Sequence, residues 1–580
     1  MPSVDQDRAT PAPLKPIFVF GVLALALALR IAHISSAMLS PLSFQPGPDE
    51  DYYLRFGQAV AAGHGQLSPE FMFMDPAYGY LLGGIFRILG VNLFAVYVLQ
   101  ALLDTATAYG IYLIGARLGR PRAGLYGSML YAVTATAIMF SATMLKEICV
   151  TSYLTWWIVG ALAVIRTRSK PAWLAFGLYC GIGVALRSNL LLMGLFAVTL
   201  PLFGAPPKGA SIRAWASLAL PLLAGIALAL LPWSLRNAQA GDGLSPLPHN
   251  GGIVLHQVYN EANPGSSIWI PGFVNYLHPS EIWRGYEAET SRRLGRPVTP
   301  AEVDHYWRDQ ALGFIKDHPG DVLRDVLHKS LAFLSVAEIP NNRSSVEERM
   351  FSPVLRALPR PVAWLLALGL AGLLWLALED RRWPIVAAPI LLSWAVVAFF
   401  WAEDRFRFHA MGALAACAGV WLDHLVETLR ESRRRLAAGF IACAGLIAAV
   451  SVWLGSNTPA PVVRWDHIVW GYLKMGRNAE AAAIAERVIR EQPDNASVLE
   501  AAGVIAASRG QYPQAHEYLQ RALVLRPASH VGHYNLARVY LAEDDREHAA
   551  EEARIALRLN PAPEYQDLLN QIESPRQGLK

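Results

Sequence analysis

Apolar runs recur along this chain near residues 17–39, 92–115, 123–144, 148–165, 172–186, 189–203, 214–235, 361–378, 384–401, 409–428 and 436–454. Most approach the roughly 17 to 25 apolar residues that carry a helix across a bilayer. Lipid offers no hydrogen bonds to a backbone, so such runs must be helical. The pattern predicts an all-α, polytopic transmembrane helix bundle of about eleven spans. The stretch PAYGYLLGGIFRILG, 76–90, is short, amphipathic and carries Arg87, which predicts a helix lying in the membrane interface. Residues 236–360 are too polar to span; turn-rich GDGLSPLPHNGG and NEANPGS precede a helix-like 301–335. They are expected to form an ordered loop domain with few strands, between an N-terminal membrane module (1–235) and later spans (361–455).

After residue 455 the pattern changes period. Pro493, Pro527 and Pro561 lie 34 residues apart, as do Ala481, Ala515 and Ala549, and Gly476, Gly510 and Asp544. A helix-turn-helix unit of that length, with small residues at the helix crossing, resembles the tetratricopeptide repeat. Trp465, Tyr472 and Tyr540 fall at its large positions and Gly503 at its glycine. The resemblance covers about 462–563, with 564–572 as a cap, and gives 456–580 as a C-terminal α-solenoid domain. Such an array binds a protein partner or acceptor in its groove or packs back on the membrane bundle, and both readings stay open.

Composition supports the membrane reading. The 580 residues are 53% hydrophobic and 17% charged, with a net charge of +4. Basic residues cluster in alternate loops: Arg117, Arg120 and Arg122; Arg166, Arg168 and Lys170; Lys208 and Arg213; Arg381 and Arg382; Arg430 and 433–435. This is a topology signal that puts those loops in the cytoplasm, and it excludes a nucleic-acid partner. The opening run from Ile17 to Leu29, after Arg8 and Lys15, is read as a retained helix rather than a signal peptide cut near residue 36, because many spans follow. The cysteines Cys149, Cys180, Cys417 and Cys443 show no paired spacing, so neither a disulfide framework nor a cysteine metal site is expected.

The opposite face receives the unusual residues. Asp49 and Glu50 lie in FQPGPDEDYYLRFG just past the first span. Alone, an acidic pair after Pro-Gly-Pro reads as a solvated turn or a helix cap. On the same face, however, stand Lys146 and Glu147 in a short turn, Arg187 and Arg236 at span ends, and Arg405 and Arg407 in WAEDRFRFH. Each arginine alone reads as a snorkelling cation, whereas several with carboxylates suit a lipid phosphate. A membrane-embedded phospho-sugar is the substrate class this implies. A carboxylate can deprotonate an acceptor hydroxyl, and cations can stabilise the leaving phosphate without a general acid.

PDEDYY, DPAYGYLLGGIFRILG, SATMLKE, ALRSNLLL, PWSLRN followed by HNGG, and EDRFRFHA together resemble the GT-C membrane glycosyltransferases of the protein O-mannosyltransferase type, glycosyltransferase family 39, and their bacterial aminoarabinose-transferring relatives. The resemblance covers roughly 17–425. It implies an inverting transferase that moves a sugar from a polyprenyl-phosphate donor to a periplasmic glycan, lipid or protein. Asp49 would be the general base, with Glu50 its neighbour and Glu147 a second acid; Lys146, Arg187, Arg236, Arg405 and Arg407 would hold donor phosphate, with Asp75 and Tyr78 in the same binding set. Where the aminoarabinose enzymes carry lysine-proline-proline, this chain reads Met74, Asp75, Pro76. Some relatives bridge carboxylates and phosphate with a divalent cation, for which Asp49, Glu50, Asp75 and Glu147 would be the oxygens; cationic side chains do the same work, so no metal or cofactor is expected. The expected location is a bacterial inner membrane, with active site and repeats on the periplasmic side.

Two other readings differ in class. A non-catalytic scaffold would use the bundle only to anchor the repeats, and a polysaccharide polymerase or ligase would rely on outer Arg and His residues without an acidic base. A transporter is disfavoured because Asp104 is an isolated midplane charge. Asp104 is expected to be functional or hydrogen-bonded within the bundle. His249, His256 and His278 are irregularly spaced candidates for bases or ligands.

Overall fold

The computed structural model describes residues 14–64, 72–204, 212–240, 243–263, 269–274, 279–359, 362–456, 458, 461–561 and 563–574. It divides into two units, Met1–Ser36 with Gly47–Pro461, and Ala37–Pro46 with Val462–Lys580. Among the described residues the regular structure is helical throughout.

The first unit begins with α1 (Pro16–Ala37), α2 (Pro48–Ala62), α3 (Ala77–Leu89) and α4 (Leu93–Arg117). The run expected to span at 123–144 is two helices, α5 (Pro121–Ala132) and α6 (Ala135–Phe140). The break falls at β-branched Val133 and Thr134, where the Thr134 hydroxyl donates to the Leu130 carbonyl at 2.9 Å and its backbone turns extended. α7 (Glu147–Val164) and α8 (Lys170–Leu186) follow. The run 189–203 is also interrupted, with α9 (Leu191–Ala197) between short 3-10 turns at Ser188–Leu190 and Leu200–Leu202. α10 (Ile212–Gln239) crosses α8 at a distance that only glycine allows. A Cβ on Gly177 would lie 2.0 Å from the Leu222 carbonyl oxygen, and one on Gly225 would lie 2.2 Å from that of Leu174.

The polar stretch 236–360 falls within this unit. α11 (Gly251–Val258), α12 (Pro279–Leu294) and α13 (Pro300–Asp317) enclose Ile253, Trp283, Tyr286, Val303 and Trp307 together with Phe73. These aromatics form the interior of the subdomain; His278 lies outside the described residues. His256 packs 4.4 Å from the Trp307 ring, and burial, with Arg293 nearby, lowers its imidazole to about 4. α14 (Pro319–Leu334) is followed by α15 (Ser345–Phe351), α16 (Pro353–Ala357), α17 (Val362–Glu379), α18 (Trp383–Phe399), α19 (Asp404–Phe408), α20 (Met411–Arg430) and α21 (Arg434–Ser456). α14 lies against α18 and α21: Trp394 Nε1 donates to Ser330 Oγ at 3.2 Å, and the Val336 amide donates to the Ser451 carbonyl at 3.1 Å.

Among the described residues five helices, α1, α4, α7, α10 and α21, are long and apolar enough to cross a membrane, and α3, α8, α18 and Trp364–Glu379 are shorter apolar helices. Large apolar side chains such as Phe20, Leu220, Leu378 and Leu446 are exposed on them, as a lipid-facing surface requires. The chain is read as a multi-pass membrane protein. The bundle has two chemically different ends. At one, Arg166 Nη2 and Arg382 Nη1 donate to the Arg117 carbonyl at 2.6 and 3.1 Å, and Arg120 pairs with Glu379 at 2.6 Å. At the other, Gln100 near the start of α4 donates to the Thr143 carbonyl at 2.8 Å and accepts from Tyr78 Oη at 2.8 Å.

The second unit is built from α22 (Trp465–Lys474), α23 (Asn478–Glu491), α24 (Ala496–Ser508), α25 (Tyr512–Leu525), α26 (His530–Ala542), α27 (Arg546–Leu559) and α28 (Pro563–Glu573). The 34-residue register has a backbone cause. Gly476, Gly510 and Asp544, each between paired helices, are all left-handed, with φ of 72°, 72° and 65°. Ala481, Ala515 and Ala549 are wholly buried at the crossings, and α28 closes the stack with Tyr565, Leu568, Leu569 and Ile572. Residues 37–46 complete this unit. Ser40 caps a 3-10 turn, Pro41–Phe44, and the Pro41 carbonyl lies against Gly471 of α22, 2.1 Å from where a Cβ would stand.

Candidate functional site

The two acids of the first turn of α2 have different tasks. Gly47 is the extended N-cap, Pro48 presets the first helical φ, and Glu50 Oε2 folds back to accept the Gly47 amide at 2.8 Å. Glu50 Oε1 accepts the Met144 amide at 3.1 Å and Arg343 Nε and Nη2 at 3.1 and 3.0 Å, while Arg343 Nη1 reaches Glu348 at 3.2 Å. Glu50 is completely buried, with both oxygens engaged. Asp49 faces elsewhere. Its Oδ2 accepts Asn342 Nδ2 at 2.8 Å and a guanidinium N–H of Arg405, and its amide donates to Asn342 Oδ1 at 3.2 Å. Burial pushes the Asp49 carboxyl up, but the charge and hydrogen bond of Arg405, with Asn342 and Lys146, outweigh it and hold it below the usual carboxylate range.

The surrounding cations come from α7, α8 and α19. Arg405 Nε pairs with Glu403 at 2.7 Å; burial nevertheless raises the Glu403 carboxyl above its ordinary value. Arg405 and Arg187 both lie over the Phe406 ring, at 4.8 and 4.6 Å. Arg187 Nη1 is 3.8 Å from Glu147 Oε1 and 3.5 Å from His409 Nε2. Glu147 is 2% exposed, and its Oε2 has no hydrogen-bond partner among the described residues. Lys146 Nζ pairs with Asp75 Oδ2 at 2.6 Å and sits 5.7 Å from the Tyr53 ring; burial lowers its ammonium below the ordinary lysine value, and Asp75 opposes that. Asp75 Oδ1 accepts the amide of Ser188 at 3.0 Å and its hydroxyl as well. Asp49, Asp75, Lys146, Glu147, Arg187 and Arg405 are thus linked, directly or through shared neighbours, at the end of the bundle away from Arg117 and Arg382.

Other expected site residues lie apart. Arg236 stacks near Phe56 and Tyr80, each 5.7 Å away, and donates to Tyr80 Oη at 3.3 Å, two turns along α2 from Asp49. Tyr78 is buried against Gln100 and Tyr53. Arg407 turns toward Asp404 and toward the Ala332, Ser335 and Ala337 carbonyls, where it closes the end of α14. Asp104 pairs with Arg30 Nε at 2.5 Å and accepts Tyr131 Oη at 2.5 Å inside the bundle, which makes it a structural anchor between α1, α4 and α5. Asn341, Asn342, Arg343, Glu403, His409 and Ser188 were not singled out from the sequence. The polar triplet Asn-Asn-Arg was the available signal, but Asn342 meets Asp49 across 293 residues of chain. The described residues gather no three His, Cys, Asp or Glu side chains able to hold a metal ion. Asp49 is engaged by Asn342 and Arg405, and Asp75 by Lys146.

The family described as dolichyl-phosphate-mannose-protein mannosyltransferase matches residues 74–235, which contain Asp75, Lys146, Glu147 and Arg187. The undecaprenyl phosphate-alpha-4-amino-4-deoxy-L-arabinose arabinosyl transferase of Pseudomonas aeruginosa strain LESB58 is 30% identical over 202 residues, 32% of this chain and 36% of that one. Its counterpart from Enterobacter sp. strain 638 is 27% identical over 220 residues, 35% of this chain and 38% of that one. The match therefore spans little more than a third of either relative's length. Among solved structures, the Archaeoglobus fulgidus oligosaccharyltransferase tethered to an acceptor peptide aligns with 80% of this chain and 59% of its own, at 14% identity and a TM-score of 0.41.

Proposed function

We propose that this protein is an integral-membrane glycosyltransferase that moves a sugar from a polyprenyl-phosphate-linked donor to an acceptor hydroxyl or amine at the extracytoplasmic face of a bacterial inner membrane. The observation that carries the reading is the burial of Asp49 beside Arg405, with Lys146 and Arg187 close by, at one end of a membrane helix bundle. The names of the partial relatives support the donor class. The opposite end collects Arg117, Arg120, Arg166 and Arg382, and the positive-inside tendency of such clusters supports an Asp49 end outside the cytoplasm.

Asp49 is the general base. Glu50 cannot serve, because both of its oxygens accept hydrogen bonds from Arg343 and backbone amides. Asp49 is ionised at neutral pH, but a carboxylate tied to Arg405 is a weak base. When the donor phosphate binds, Arg405 shifts toward it, and Asp49 gains basicity as the substrate arrives. The acceptor proton then passes to Asp49 while the acceptor attacks the anomeric carbon. The bond from that carbon to the phosphate oxygen breaks with inversion, and its electron pair leaves on the phosphate. Arg405, Arg187 and Lys146 stabilise the charge that develops there. The unpartnered Glu147 Oε2 is available to a sugar hydroxyl or amine. The second unit is a tetratricopeptide-type array that holds a protein partner or acceptor near the membrane.

Purified full-length protein in vesicles, given radiolabelled polyprenyl-phosphate sugars and a membrane extract, should label a product. Asp49→Asn should lower that rate by about 10²- to 10⁴-fold. Full transfer by a folded Asp49→Asn protein would remove the proposed base and favour the scaffold reading.

A further inference from the structure

Three consecutive residues on one loop each hold a carboxylate of the Asp49 cluster. Asn341 Nδ2 donates to Glu403 Oε1 at 2.5 Å, Asn342 Nδ2 to Asp49 Oδ2 at 2.8 Å, and Arg343 to Glu50 at 3.0 and 3.1 Å. Asn342 makes two contacts, since its Oδ1 also accepts the Asp49 amide at 3.2 Å. This grip fixes side chain and backbone of the same residue. Room for it exists because residue 47 is glycine: a Cβ there would stand 2.8 Å from Asn342 Oδ1.

The loop is itself pinned at both ends. Ile339 exchanges two hydrogen bonds with Asp404, its carbonyl accepting the Asp404 amide at 3.0 Å and its amide donating to the Asp404 carboxylate at 3.2 Å. Glu338 accepts the Ser345 amide and hydroxyl, both at 2.5 Å, and Ser344 caps α15. Asn342 and Arg343 are 4% and 8% exposed. A buried, doubly anchored loop with no apolar side chain among its three central residues is placed by the carboxylates it holds.

We infer that Asn342 is a positioning residue for catalysis, holding Asp49 Oδ2 so that Oδ1 is the oxygen that takes the acceptor proton, with Asn341 and Arg343 locking the flanking acids in the same frame. Oδ1 accepts no hydrogen bond from the described residues, whereas Oδ2 accepts from both Asn342 and Arg405. When Arg405 turns to the donor phosphate, Asn342 is the neutral donor that stays and keeps the carboxylate from rotating. An amide suits this role better than a cation, because it orients the base and, carrying no net charge, lowers its basicity less than a guanidinium does. The inference rests on the glycosyl-transfer reading above and names a residue in that site which the chain's motifs did not indicate.

The charged and titratable groups facing Asp49 are Arg405 and Glu403 from the α19 region, Lys146 at the start of α7, and Tyr53 one turn along α2. The test is the pH dependence of transfer by the full-length protein in vesicles. Asn342→Asp keeps the side-chain shape and the acceptor for the Asp49 amide, but replaces the donor with a carboxylate. Its acidic limb of kcat/KM should move up by about one pH unit or more, since a like charge disfavours ionised Asp49. Asn342→Ala should lower kcat by about 10- to 100-fold with the KM for donor within twofold of wild type. Asn342→Gln, which retains an amide donor, should recover part of the loss. Thermal midpoints in detergent report folding for each variant. A wild-type acidic limb in folded Asn342→Asp, or a fall in Asn342→Ala rate that tracks only the folded fraction, would overturn the inference. Inactive Asp49→Asn with an unaltered Asn342→Asp rejects the clamp alone; active Asp49→Asn rejects the underlying reading.

Discussion

Arg407 engages Asp404 through Nε and Nη2, donates to the Ala332 and Ser335 carbonyls through Nη1, and to the Ala337 carbonyl through Nη2. A guanidinium with all its directions occupied and 3% exposure holds architecture together. Arg405, two residues earlier, leans over the Phe406 face toward Asp49. Their substitutions should therefore separate. Arg407→Ala leaves Asp404 and three carbonyls without their cation and should cost about 3–5 kcal/mol of stability, seen as a lowered thermal midpoint, with the KM for donor unchanged in the folded remainder. Arg405→Ala strands Asp49 and Glu403 and should lower the midpoint as well, but, unlike Arg407→Ala, it should also raise the KM for donor at least several-fold in the folded protein. Nothing in WAEDRFRFH distinguishes the two arginines, because which one meets carbonyls depends on where α14 ends. Asp49, Lys146, Glu147 and Arg187 were legible because each sits at the end of an apolar run on the same face. Asn342 was not, since its partner lies beyond any local periodicity.

At the scale of helices, α1, α4 and α5 are joined by a charge pair in an otherwise apolar interior. Arg30 and Asp104 are both fully buried, and Arg30 also donates to the Ala26 and Ala132 carbonyls at 2.9 and 3.0 Å. Removing one partner strands the other. Asp104→Leu should cost about 3–5 kcal/mol, whereas Arg30→Leu with Asp104→Leu should recover most of that, because two apolar side chains can replace a buried pair. Thermal unfolding of both variants in one detergent measures the difference; equal losses would rule out a mutual dependence. Asp104 stood out in the sequence as a costly residue in a span, but nothing in the sequence tied it to Arg30, 74 residues away. The helices of the second unit were the most legible elements, since the left-handed positions at Gly476, Gly510 and Asp544 repeat with the period that the prolines and alanines reveal. Helix interruptions at Thr134 and in 189–203 were not, because β-branched and polar side chains bend a run without ending its hydropathy.

For the whole molecule, the gathering of Arg117, Arg120, Arg166 and Arg382 was readable from loop composition, whereas the part that residues 37–46 play in the second unit was not. The second unit takes in Val462–Lys580, and ten residues from far upstream, Ala37–Pro46, belong there as well. Within that stretch Pro41 and Leu42 are buried, Leu42 to 2% exposure, and Gly471 of α22 has no side chain to obstruct them. A protein ending at Pro461 should therefore bind a separately produced 462–580 fragment in trans, and Gly471→Leu in that fragment should abolish co-purification. Failure of the unmodified fragment to bind would show that residues 37–46 add nothing to the unit. The second unit is thus not a cassette. A gene fusion that moved only its contiguous coding region to another membrane protein would leave behind the upstream strip that covers α22. A clean exchange would have to graft two segments at once, one of them three residues ahead of Asp49.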